Sequence, residues 1–110
     1  MKLEHFATAS ADWSDMATTI APGATGSVSW RARQAGDIQL RLVDYSADYL
    51  ADHWCHKGHI VFVVAGELCI EHQDGATHRL GPGMSYQVAD NDGAPHRVRC
   101  AAGATVFIVD

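Results

Sequence analysis

No stretch of this 110-residue sequence sustains a 3.6-residue apolar period over a useful length. Its apolar residues come in short runs, and glycine-bearing turns separate them. SVSWRAR (27–33) alternates Val28, Trp30 and Ala32 with polar neighbours, and IQLRLVDY (38–45) alternates Ile38, Leu40 and Leu42 with Gln39 and Arg41. A period of two is that of a half-buried strand. HIVFVVAG (59–66) is apolar and β-branched, which suits a central strand. ELCIEHQ (67–73) runs into the hairpin dipeptide Asp74-Gly75, and ATHRL (76–80) returns. GPG (81–83) reads as a turn, MSYQVA (84–89) as a strand, and DNDGAP (90–95) as a polar loop. HRVRC (96–100) is expected to form a short strand and ATVFIVD (104–110) a closing one, while SADYLAD (46–52) reads as an extended connection. Many short strands with tight turns predict an all-β fold, a small antiparallel β-barrel or sandwich, in which closure removes exposed edges.

The length suits one domain with one hydrophobic core. Residues 1–25 carry no clear pattern; Trp13, Met16 and Ile20 are expected to pack as an N-terminal arm or strand, with the barrel over 26–110. Eight Lys and Arg residues against thirteen Asp and Glu give a net charge of −5. With no basic cluster, nucleic acid and anionic membrane surfaces are not expected partners. No apolar run reaches transmembrane length, and the acids and His5 near the N-terminus do not suit a signal peptide, so a cytoplasmic location is expected. Three cysteines, Cys55, Cys69 and Cys100, do not suggest a disulfide framework.

Histidine is concentrated. Five of seven histidines fall between His53 and His78, and another is His96. The densest stretch, DHWCHKGH (52–59), lies directly before the apolar run. If residues 52–56 are extended, His53 and Cys55 share a face. Lys57-Gly58 can act as a kink before His59, and His96 follows Pro95 at a strand start. Imidazole nitrogen and thiolate sulfur are ligands for zinc and other divalent transition metals.

In its order and spacing, His53-x-Cys55-x3-His59-x6-Gly66 resembles the first cupin motif, His-x-His-x3-Glu-x6-Gly. VVAGEL (63–68) resembles the turn after that motif, DGATHRLGPG (74–83) resembles the cupin hairpin, and Pro95-His96 resembles the end of the second motif. The likeness spans roughly residues 36–110 and is nearest to a group of small bacterial cupins named for an Asp-His-Cys-Trp signature, here Asp52-His53-Trp54-Cys55. It implies a double-stranded β-helix of jelly-roll type and metal ligands at His53, Cys55, His59 and His96. It also implies a small-molecule ligand or substrate and a homodimer. Cys55 replaces the usual second histidine, His59 the usual glutamate, and Cys100 the closing asparagine, and the loop to His96 is two residues longer than usual. A thiolate shifts the expected metal from manganese and magnesium toward zinc, iron, nickel or copper. Four protein donors could also close a structural shell.

The remaining candidates have plainer readings. His56 is expected in the exposed kink, and His72 and His78 as an exposed cross-strand pair. Cys69 and Cys100 are expected in the core or on a strand face. Trp30, Phe62, Tyr86 and Phe107 are expected in core or pocket wall, and Trp54 outside the barrel or at a dimer contact. Arg41, Arg97 and Arg99 are expected to face solvent, although one arginine in the pocket could bind a carboxylate. Three functions compete. The first is a metal-dependent enzyme of oxygenase, isomerase or lyase type. The second is a non-catalytic metal or small-molecule binding module, and the third a metal-free barrel. No general base stands out beyond Tyr86 and His56, which weakens the enzyme reading.

Overall fold

The computed structural model describes residues 2–110. It contains eight strands: β1 (Thr19–Pro22), β2 (Ser27–Ala35), β3 (Ile38–Leu50), β4 (His59–Gly66), β5 (Leu68–His72), β6 (Thr77–Leu80), β7 (Ser85–Val88) and β8 (His96–Val109). One 3₁₀ turn, Trp13–Asp15, precedes them, capped by the Asp12 carboxylate on the Ser14 N–H. All pairings are antiparallel, and the all-β jelly-roll expectation is borne out.

Two long strands organise the barrel. The expected connection at 46–52 instead continues β3 as far as Leu50, and the two short strands expected at 96–100 and 104–110 are one 14-residue strand, β8. Their length lets them serve two layers. Residues 104–109 of β8 lie between β3 and β4, and β2 with β1 and β7 extend this layer on either side. Residues 96–99 of β8 pair with β5, which pairs with β6. Gly103, at φ 97°, lies between the two halves, where a β-branched residue would be strained. Gly66, at φ 78°, lets the β4–β5 turn pass against β8; a Cβ there would collide with the Gly103 carbonyl.

Val43, Val61, Val63 and Val106 from the first layer meet Leu68, Ile70, Leu80 and Cys100 from the second in one core. Alternation places Val61 and Val63 inward, while Ile60, Phe62 and Val64 stand exposed on the outer face of β4. Phe62, read as core or pocket wall, is therefore on the surface, where it pairs across with Phe107. The N-terminal arm lies on this same outer face: Trp13 meets Phe107 edge to face at 5.6 Å. Ile20, expected to pack with the arm, is 71% exposed.

β3 departs most from its sequence reading. Gln39, Arg41, Val43 and Tyr45 line an interior cavity, and Leu40 lies against the arm's side of the sheet with Phe107. Arg41 is thus not a solvent-face residue. Its alternation was correct in period, but both faces of this layer carry apolar neighbours, so period alone did not say which face was inside.

Candidate metal centre

The interior cavity, about 340 Å³, opens at the barrel end where β4 and β8 begin. Cys55 and His96 are direct cross-strand partners in an isolated bridge, with backbone bonds of 2.7 and 3.0 Å in the two directions. His59 opens β4, and its ring meets that of His96 edge to face at 5.2 Å. One donor atom from each of Cys55, His59 and His96 lies within 4.8 Å of the others.

His53 is not brought into this group. Residues 52 and 53 form a bend, so the shared-face argument for His53 and Cys55 does not apply here. The exposed His53 ring instead bonds the Asp52 carboxylate through Nδ1 at 2.6 Å, at the rim of the same cavity. His56 is exposed, as expected.

The donor set fits a divalent transition metal on four observations. First, His96 is 5% exposed, and its Nε2 has no hydrogen-bond partner; a buried nitrogen left so is costly unless something coordinates it. Second, His59 Nδ1 stands 3.0 Å from Asp110 Oδ2 and donates to it, so in the neutral ring Nε2 keeps its lone pair. A carboxylate behind a histidine is the usual support for a metal ligand. Third, that Nε2 is 3.6 Å from Cys55 Sγ. Bonds of about 2.3 Å to sulfur and about 2.05 Å to nitrogen at a tetrahedral angle place the two donors about 3.6 Å apart. Fourth, the Lys57 backbone N–H donates to Sγ at 3.3 Å.

Protonation agrees. Burial, then the neighbouring His59, His72 and His56, push the His96 pKa down to about 4. Burial also holds His59 below the ordinary imidazole value, against the pull of Asp110. Both rings are neutral at pH 7 and available as ligands.

Residues that sequence reasoning passed over complete the site. The Asp110 side chain is 2% exposed and carries the Arg41 guanidinium at 2.8 Å as well as His59. Its inward position follows from alternation with buried Ala104, Val106 and Ile108, a signal present in ATVFIVD. Lys57 Nζ is 3.8 Å from the same carboxylate oxygen.

On the other side of His96, β5 places His72 as its cross-strand partner. His72 was expected to be exposed, but its ring is half-buried with both nitrogens engaged. Nδ1 donates to the Ala94 carbonyl at 2.8 Å, so Nε2 accepts from the Tyr86 hydroxyl at 2.8 Å. The even inward parity of β5, with Leu68 and Ile70 buried, carries His72 inside. His78 stays exposed, its ring 5.7 Å from His72. Trp54 lies under the Arg97 guanidinium at 4.2 Å, and Arg97 bonds Glu71 at 2.6 Å.

Comparison with known proteins now decides the family. The family model described as "Cupin domain" matches residues 40–110. The chain is a cupin. The polyketide cyclase RemF from Streptomyces resistomycificus superposes on this cupin with a TM-score of 0.75 at 19% identity, covering 94% of this chain and 78% of RemF. A sugar phosphate isomerase of the cupin superfamily from Silicibacter pomeroyi gives 0.70 at 20% identity, covering 92% and 74%. A cupin-2 domain protein from Shewanella frigidimarina gives 0.60 at 20% identity, covering 74% and 78%. At these identities the likenesses establish the fold. No curated protein sequence matches this cupin. No helix among the described residues is long and apolar enough to cross a membrane.

Proposed function

We propose that this protein is a metal-dependent small-molecule cupin in which Cys55, His59 and His96 hold one divalent transition metal, zinc, iron, nickel or copper. The observation that carries the reading is the buried, unpartnered Nε2 of His96 beside the His59 Nε2 and Cys55 Sγ, which stand 3.6 Å apart at ligand spacing. His53, proposed as a fourth ligand on its spacing, bonds Asp52 at the rim. Three protein donors would leave a position for water or substrate, the catalytic pattern rather than the closed structural one. This favours an enzyme of oxygenase, isomerase or lyase type over a purely structural site. Bound there, such a metal supplies a Lewis acid or redox centre. The chain's own residues do the rest: Asp110 fixes the His59 tautomer, Arg41 and Lys57 set positive charge beside it, and Trp30, Val43 and Ile70 supply apolar wall.

Two further parts of the reading have separate support. The stretch Asp52-His53-Trp54-Cys55, which carries the four residue types of the Asp-His-Cys-Trp signature with the last two exchanged, supports membership of that cupin group. The exposed strip Ile60, Phe62 and Val64 on the outer face of β4 supports a homodimer; a monomer by light scattering at micromolar concentration would refute it.

The test is metal content by mass spectrometry on untagged protein, with Cys55→Ser and His96→Ala beside it. Stoichiometric metal that both variants lose is the expected result. Metal-free wild type after reconstitution in excess would overturn the ligand assignment.

A further inference from the structure

Among the described residues, four buried side-chain polar atoms have no hydrogen-bond partner: Arg31 Nε, Arg41 Nε, His96 Nε2 and Asp110 Oδ1. Three of them belong to residues lining the interior cavity. Native interiors satisfy nearly all such atoms, so three of them on residues that line one cavity point to a polar ligand there. His96 Nε2 belongs to the metal reading. A donor, Arg41 Nε, and an acceptor, Asp110 Oδ1, are left over.

These two groups are already fixed in place. The Asp110 side chain, 2% exposed, is held through Oδ2 by Arg41 at 2.8 Å and His59 at 3.0 Å. Lys57 stands at the mouth, 60% exposed and 3.8 Å from the same oxygen. Arg97, a third cation on the lining, is balanced by Glu71, so Arg41 and Lys57 against the Asp110 side chain leave an excess of positive charge, which favours an anion over a neutral amide or polyol. A plain carboxylate would satisfy Arg41 and Lys57 but leave Asp110 Oδ1 facing another acceptor. A hydroxyl on the same molecule removes that conflict by donating to Oδ1. The walls beyond, Val28, Val43 and Ile70, suit a short carbon chain.

We propose that the cavity selects a small hydroxy-carboxylate, with its carboxylate on Arg41 and Lys57 and its hydroxyl donated to Asp110. The assignment rests on reading this cavity as the ligand site, and it does not need the metal. Arg41 and Asp110 are specificity-determining residues in this account, and Asp110 serves the ligand on one oxygen and His59 on the other.

Calorimetric titration of the full chain, metal-free and zinc-loaded, with lactate, propionate and lactamide tests it. Lactate is expected to bind at least about tenfold more tightly than either analogue in both forms, because a site built to accept a hydroxyl rejects the molecule lacking it. Arg41→Gln should weaken lactate about tenfold or more, and Asp110→Asn should bring propionate to within about threefold of lactate. Propionate or lactamide matching lactate, or no lactate binding at millimolar concentration, would overturn the proposal. Should either variant fail to fold, the wild-type panel decides alone. Zinc-loaded protein without lactate preference sinks this inference and spares the metal site. Lactate preference in a chain that takes up no stoichiometric metal does the reverse.

Discussion

His96 separates two regions that look alike in composition and differ in chemistry. On one side, Cys55 and His59 present a sulfur and an Nε2, 3.6 Å apart, to its unpartnered Nε2. On the other, His72 has the same half-buried character, sits 5.7 Å away ring to ring, and spends both nitrogens on Ala94 and Tyr86. Burial and proximity do not distinguish the two sides. What distinguishes them is where the second nitrogen of each ring goes. Asp110 turns His59 toward the cavity, while Ala94 and Tyr86 close His72 within the protein.

The largest expected effect would break the comparison outright. His59→Ala or Cys55→Ser should weaken metal binding more than about 100-fold, whereas His72→Ala should change it less than about threefold, because a ligand outweighs its supporting residues. Metal titration with a competing chelator reads both. Equal losses on the two sides would mean that His72 belongs to the site. Asp110→Asn comes next, with a loss of roughly 10–100-fold as His59 loses its orienting carboxylate; an unchanged affinity would remove Asp110 from the metal's support.

A third prediction uses acid. The His96 pKa is about 4 in the folded chain against an ordinary value of 6.5. Between these values the unfolded chain binds the extra proton, so stability is full above about pH 6.5 and falls as pH falls toward about 4. The metal-free protein should lose on the order of 2 kcal/mol over that window by denaturant titration, and His96→Gln should flatten the dependence. A flat wild-type profile would contradict the burial of this ring. Smallest is Tyr86→Phe, which removes the donor to His72 and should cost about 1 kcal/mol of stability with metal affinity untouched.

The architecture was largely legible because glycine turns and apolar runs bounded the strands: HIVFVVAG is β4 residue for residue. Where the reading faltered, a strand served two layers or a sheet was apolar on both faces. β8 runs through Ala101 and Ala102, which read as a break, since β3 pairs along both of its halves while its other edge passes from β5 to β4. Leu40 and Leu42 drew attention as the buried face of β3, while Gln39 and Arg41 on the other face reach the cavity. At the site, spacing named His53, Cys55, His59 and His96, and the fold brings donor atoms of the last three within 4.8 Å of one another. His53 lies apart at the rim, because a bend at 52–53 is invisible to a parity argument that assumes extension. Asp110 escaped notice as a polar residue ending an apolar strand, although the inward alternation from Ala104 pointed to it.

The central claim is that Cys55, His59 and His96 together hold one divalent ion and His72 does not. Cobalt(II) titration followed in the near-ultraviolet tests it most directly, since a thiolate on cobalt gives a charge-transfer band. The band is expected to saturate at one equivalent in wild type and in His72→Ala, and to be missing in Cys55→Ser. A bound ion without the band in wild type, or a band that survives Cys55→Ser, would contradict it.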